Sequence, residues 1–384
     1  MEIHDVDALA AWLAGGTSPA GLRLQNLDLT AVEPDLVART DLDGLVVLGG
    51  RISAPLRTHL IAHGAVVFPA VPDAPVEVYR ATLYTADELY AGLDAGYAAT
   101  ADARAYAWSR DTRLVHDAYA TLLRAVHDDA VTDALDEWIA GAPVVGVMGG
   151  HAADRGTPAY AAAARLGRGL AEAGFVVATG GGPGAMEAAN LGASAPSDAA
   201  LDEALARLAA VVSFRPGIRA WARLAFAVRA GFPEADRPRS LGIPTWFYGH
   251  EPPNVFADGI AKYFSNALRE DGLLARSTAG VVVTPGAAGT VQEIFQLGTR
   301  LYYTGPGEPL PPLVLLGRDH WTRTLPVVPL LEALGCDRAM ARAVHVVDSV
   351  AEAIAVVAER AVGYAGRARA RPDRGLVPPA KGRD

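Results

Sequence analysis

Short apolar runs alternate with helical patterns along most of this chain, and run length separates the strands from the helices. Leu22, Leu24, Leu27 and Leu29 mark one or two short strands. Residues 45–48 read as a buried strand closed by Gly49-Gly50. Pro55 to His63 reads as a short helix with Gly64 just past its end, and Val66–Phe68 as the next strand, stopped by Pro69. Strand-helix-strand order predicts a right-handed parallel crossover, so residues 1–75 form a small α/β unit. Residues 76–140 read as helical. Thr85 before Ala86-Asp87-Glu88 has the pattern of an N-terminal cap. A long helix over 111–139 keeps Leu114, Ala118, Leu122, Ala125 and Val126 at helical spacing. Gly141 and Pro143 end it and mark a domain boundary.

From Val144 strands and helices alternate. Expected strands are Val144–Met148, 175–178, 241–247, 281–283, Leu313–Leu316 and Val344–Val347. Expected helices are 157–173, 185–192, 198–210, 217–230, 256–270 and a stretch ending at Tyr302, with one more behind each late strand. The fold class is therefore α/β, a doubly wound parallel Rossmann-like sheet over 141–365, preceded by the small α/β and helical region. Residues 366–384 carry arginine, glycine and proline without periodicity and read as a disordered tail.

Composition narrows the function classes. Thirty-four basic against 43 acidic residues give a formal charge of −9, which disfavours a nucleic-acid polymer or an anionic membrane as partner. Cys336 is the only cysteine, so an internal disulfide and a cysteine-rich zinc site are excluded. No apolar run approaches the ~20 residues of a membrane helix. Glu2, Asp5 and Asp7 replace the basic start of a signal peptide, and a cytoplasmic location is expected. His116 and His127 are eleven residues apart on the expected long helix and share a face. Metal pairs on helices use closer spacing, so no metal site is assigned there. Lysine occurs only at 262 and 381, which leaves Lys262, read as helical, the single candidate for Schiff-base chemistry.

Two strand ends are glycine-rich and lead into helices: Gly180-Gly181-Gly182-Pro183-Gly184-Ala185-Met186 and Pro285-Gly286-Ala287-Ala288-Gly289-Thr290. Glycine lets a backbone approach a ligand, and a helix N-terminus offers free amides and a positive dipole that suit phosphate. Gly180-x-Gly182-x-x-Ala185 fits the dinucleotide fingerprint loosely. It follows the second strand of its domain, however, and Asp198 and Asp202 lie in a helical stretch instead of at a strand end, so NAD is not assigned.

Taken together, GGGPGAMEAAN and PGAAGTVQE resemble the Lonely Guy (LOG) family, also labelled "possible lysine decarboxylase", whose motifs are GGGxxGxM and PGGxGTxxE. The likeness spans 144–362 and is clearest at 144–192 and 246–300. It implies a nucleoside 5′-monophosphate phosphoribohydrolase of the bacterial long-form type, releasing base and ribose 5-phosphate without cofactor or metal. Dimers or larger homo-oligomers are also implied. The family's catalytic glutamate falls on Glu293 and its arginine on Arg269. This chain has Glu270 where the family has lysine, and Ala287 where it has glycine. Substrate contacts fall on Gly150, Gly181, Gly182, Gly184, Met186, Gly286, Ala287, Gly289 and Thr290.

The chemistry supports those roles. A carboxylate beside C1′ stabilises oxocarbenium charge and orients water, which suits Glu293. An arginine binds phosphate or ribose and keeps the carboxylate ionised, which suits Arg269. In the segment 246–254, aromatic residues offer stacking to a base. Glu251 and Asn254 offer hydrogen bonds to ribose or base, Asn254 alternatively capping a helix from 256, and His250 offers a proton for a leaving base. The alternative function is a nucleotide-binding or sensing protein that has lost turnover.

Overall fold

The computed structural model describes residues 1–71, 73–114, 116–150, 152–233, 239–247, 251–305 and 307–368, with side chains to 360. Its strands are β1 (Glu2–Ile3), β2 (Arg23–Gln25), β3 (Val46–Leu48), β4 (Val66–Phe68), β5 (Val144–Met148), β6 (Val176–Thr179), β7 (Ser240–Gly242), β8 (Gly259–Ile260), β9 (Gly280–Val283), β10 (Leu313–Leu316) and β11 (Val344–Val347). The pairings between them are parallel, and helices flank the sheets. The chain divides into two units. One comprises Met1–Gly141, Ser213–Arg229 and Leu241–Gly272; the other Ala142–Val212, Ala230–Ser240 and Leu273–Asp384.

The first unit holds a four-stranded sheet in the order β1-β2-β3-β4. Its core is leucine-rich, with Leu9, Leu24, Leu36, Leu45, Leu56 and Leu60 fully buried. Asp5 and Ser53 cap its helices at Val6–Ala14 and Ala54–Ala62 by accepting backbone N–H bonds. Thr85 and Glu88 form a reciprocal capping box. The long helix is Ala118–Trp138, shorter than expected, because Asp117 takes the cap and Thr112–Leu114 is a separate 3₁₀ turn. His116 is therefore off the helix and does not share a face with His127.

Two further corrections fall in this unit. The helix expected over 256–270 is instead β8 followed by the helix Asn266–Arg276. Val255 to Ala261 are buried except Asp258, leaving no polar face for a surface helix. Gly259 sits where a Cβ would press into Leu83 and Trp138, as in a closely packed strand. The strand expected over 241–247 is only β7, paired with β8 at Leu241–Gly259 and Gly242–Ile260; Pro244 withholds a ladder donor just beyond it.

The second unit runs β11-β10-β9-β5-β6. The strands β5, β6, β9 and β10 are almost continuously apolar and buried, as parallel strands covered on both faces must be, and the edge strand β11 is mostly half-buried. Val145, Val147, Val177, Val282 and Val314 pack with Leu166 and Leu170. The helices Pro158–Glu172 and Ala185–Ser194 meet backbone to backbone. A Cβ on Gly192 would collide with the carbonyl oxygen of Ala164, and one on Gly167 with that of Ala189. Alanines 163, 164, 189 and 193 complete this small-residue seam, all buried.

Two stability tests follow. Gly192→Val should cost at least ~2 kcal/mol in urea unfolding, because packed helix backbones must separate. Gly217→Ala, with open space around it, should change stability by less than about 0.5 kcal/mol. Burial holds His127 below its ordinary 6.5 against the pull of Asp128. Its imidazole accepts from the Tyr84 hydroxyl at 2.7 Å and donates to Asp128 at 3.1 Å. The unfolded chain thus binds the extra proton, so this contribution is complete above about pH 6.5 and is lost as pH falls below it. His127→Gln should flatten that slope in pH-dependent denaturation.

Candidate functional site

Strand order points to a candidate site. The chain goes from β5 outward to β6 and later returns to β9 on the other flank of β5, a reversal that opens a crevice at the strands' carboxyl ends. Three loops meet there. Thr284 N–H donates to the Met148 carbonyl at 2.9 Å and its hydroxyl to the same oxygen at 3.2 Å. Gly150 N–H reaches the Pro285 carbonyl at 3.4 Å, and Ala185 N–H the Gly150 carbonyl at 3.2 Å. A Cβ on Gly149 would run into the Thr284 hydroxyl, so the β5 and β9 ends come this close only with glycine there.

The two helix starts at this crevice lack side-chain caps, as does the helix Val328–Gly335, whereas two neighbouring helices are capped. Thr157 and Ser197 cap the helices Pro158–Glu172 and Asp198–Leu208 with side-chain oxygens. Gly184 and Ala287 precede the helices Ala185–Ser194 and Ala288–Tyr303 and supply no side-chain cap. Gly184 has φ 75° and ψ −133°, a conformation essentially restricted to glycine. Ala287 has φ −119°, which any residue adopts, so alanine in place of the family's glycine introduces no backbone strain. Gly289 faces open space, and the buried Thr290 packs under Gly286. Glu293 is half-buried in the second turn of its helix, and Met186 half-buried in the first turn of the other.

Buried polar chains shape the loops. The Gly181 N–H donates to the Thr179 hydroxyl at 2.9 Å, which donates to Asn190 Oδ1 at 2.7 Å; Asn190 Nδ2 donates to Ser240 at 2.8 Å. Behind the β5 loop, Arg155 lays its guanidinium in a fork on Glu187, Nε donating at 3.1 Å and Nη2 to the second oxygen. Both are almost fully buried. Burial opposes the Arg155 charge and Glu187 outweighs it, so the guanidinium pKa is raised. Beside them burial and Glu187 push the Tyr160 phenol well up. Sequence reading missed Asn190, Arg155 and Glu187. The detectable signal was Glu187 and Asn190 inside the first motif; the distance from Arg155 to Glu187 hid the pairing.

The remaining candidates belong to the first unit. Arg269 is half-buried on the helix Asn266–Arg276, and the buried Glu270 accepts from Asn266 Nδ2 at 2.8 Å. Glu251 is half-buried. Asn254 is fully buried and accepts from Phe256 N–H at 3.1 Å, fixing a turn where a helix cap was expected. Trp246 is a correction to the base-stacking expectation: it is buried, and its indole N–H donates to Asp102 at 2.8 Å. Phe247 is exposed. Tyr248, Gly249 and His250 lie outside the described residues. Lys262 is not on a helix. It is buried against Asp102 at 2.5 Å, and burial lowers its pKa while Asp102 opposes.

Among the described residues no group of three or more His, Cys, Asp or Glu is arranged to hold a metal ion. Nor is any described helix long and apolar enough to cross a membrane. Residues 142–199 match the model of the SLOG cluster4 family. Over these residues the chain is similar to that Rossmann-like family. The matched residues cover β5, β6, the helices that follow them and the first glycine-rich loop.

A comparison with curated proteins finds no match. Among solved structures, the molybdenum cofactor binding protein of Rippkaea orientalis is 18% identical, with a TM-score of 0.32 over 60% of this chain and 99% of that chain. The molybdenum cofactor carrier protein of Chlamydomonas reinhardtii is 20% identical, with a TM-score of 0.34 over 57% and 99%.

Removing one partner of the buried ion pair should be severe. Arg155→Met should lose about 3–5 kcal/mol of stability, since Glu187 is left charged and desolvated. Combining Arg155→Met with Glu187→Leu should recover much of that loss, measured as a double-mutant cycle.

Proposed function

We propose that the chain binds a nucleoside 5′-monophosphate at the carboxyl ends of β9, β5 and β6 and hydrolyses its N-glycosidic bond to free base and ribose 5-phosphate. The observation that carries this reading is the meeting of two helix starts without side-chain caps at the strand-order reversal. First-turn amides need acceptors, and a phosphate supplies several at once. In this reading the amides following Ala287 take the 5′-phosphate. Glu293, one turn further along, stabilises positive charge at C1′ and orients the water. The motif assigns Arg269 the phosphate- or ribose-binding cation. No cofactor is required, and a homo-oligomer is part of the proposal.

Glu270 favours a second reading, nucleotide binding without turnover. A buried carboxylate stands next to Arg269 where active relatives are expected to carry lysine, which reverses the local charge.

A panel of AMP, GMP, IMP, CMP and UMP separates the two. The hydrolase reading expects base and ribose 5-phosphate in equal amounts from at least one nucleotide. Glu293→Gln should lower kcat by roughly 10²–10⁴-fold with affinity little changed. Binding without product, unaffected in kind by Glu293→Gln, supports the sensing reading.

A further inference from the structure

The strand next to β9 contributes a histidine to the glycine-rich loop. His320 lies just beyond β10, and its Nε2 is 3.1 Å from the Gly286 carbonyl. A carbonyl only accepts, so Nε2 carries the proton and donates. The histidine is itself held. Its ring meets Trp321 edge-on at 4.5 Å, and Trp321 is fully buried with its indole N–H on the Leu316 carbonyl at 3.0 Å. His320 opens the π-helical turn His320–Thr324, closed by Leu325 N–H on the His320 carbonyl at 2.8 Å. Such turns are rare and recur at functional sites.

This contact has a directional consequence. In a trans peptide the C=O and the following N–H point in opposite directions. A Gly286 carbonyl fixed on His320, from the β10 side, turns the Ala287 N–H away from β10. Gly150 holds the preceding carbonyl, that of Pro285, from the β5 side. The loop's two peptide planes are therefore gripped from both flanks of β9, just before the uncapped helix start.

We propose that His320 is a positioning residue for phosphate recognition: it fixes the 286–287 peptide so that the Ala287 amide joins the first-turn amides in binding the 5′-phosphate. This rests on the nucleotide reading above and adds β10 as a fourth strand end in the site. It also accounts for Ala287 at a glycine position, because the amide acts and the side chain does not.

The test compares the full chain with His320→Leu and His320→Gln, the latter retaining a donor of similar reach. Titration calorimetry uses AMP, ribose 5-phosphate and adenosine, alongside amide hydrogen exchange over 285–291 without ligand. His320→Leu is expected to weaken AMP and ribose 5-phosphate about tenfold, the scale of one lost hydrogen bond. Adenosine affinity should stay the same, exchange in the loop should rise and the melting temperature should hold. His320→Gln should restore both readouts. Wild-type affinity and exchange in His320→Leu would overturn the role of His320 and leave the nucleotide reading standing. An equal loss for adenosine, or no recovery in His320→Gln, would also overturn it. A wild-type chain that binds neither phosphate compound overturns the nucleotide reading and the role of His320 with it.

Discussion

The approach of two helix backbones governs the geometry of residues 142–199. The helices Pro158–Glu172 and Ala185–Ser194 touch through Gly167 and Gly192, where even a methyl group would strike a carbonyl. Each helix follows a strand whose carboxyl end contributes to the crevice. Their separation therefore sets how near the loop after β5 comes to the loop after β6. The Arg155–Glu187 fork adds a second tie between the same segments. Close packing supplies the proximity, and the buried ion pair, weak as a net source of stability, restricts which arrangement is adopted.

On that frame the crevice is built from backbone more than from side chains. The loops after β5 and β9 are joined through Met148, Thr284, Gly150 and Pro285, and the loop after β6 is set by Thr179 and Asn190. The helix starts at Gly184 and Ala287 carry no side-chain cap, although the Ala185 amide reaches the Gly150 carbonyl, while the neighbouring helices are capped by Thr157 and Ser197. Phosphate is the acceptor that best matches several convergent amides and the dipole behind them. A site of this kind tolerates side-chain change at Ala287 provided the peptide planes hold.

Much of this was legible in the sequence because it depends on local pattern. The apolar runs gave β4, β5, β10 and β11 at their observed bounds; β5 and β10 are buried along their whole length, where little but apolar residues fits, and β4 and β11 are short valine-rich runs. The glycine motifs gave the loops, and the first of them lies within the residues that match the SLOG cluster4 model. Residues 256–263 were misread because an almost wholly buried stretch looks the same as strand or helix by periodicity, and Gly259 was the signal against helix; from Asn266 the chain is helical. Trp246, Lys262 and Asp102 could not be placed, because a buried cluster joining residues 160 apart leaves no local trace. Arg155 with Glu187 and His320 with Gly286 escaped for the same reason.

The central claim is that the ligand's phosphate sits on the helix start after β9. A structure of the chain with AMP bound tests it most directly. The account predicts phosphate oxygens about 2.7–3.1 Å from the amides of residues 287–290, with C1′ beside the Glu293 carboxylate. AMP bound elsewhere on the chain, with those amides untouched, would contradict it.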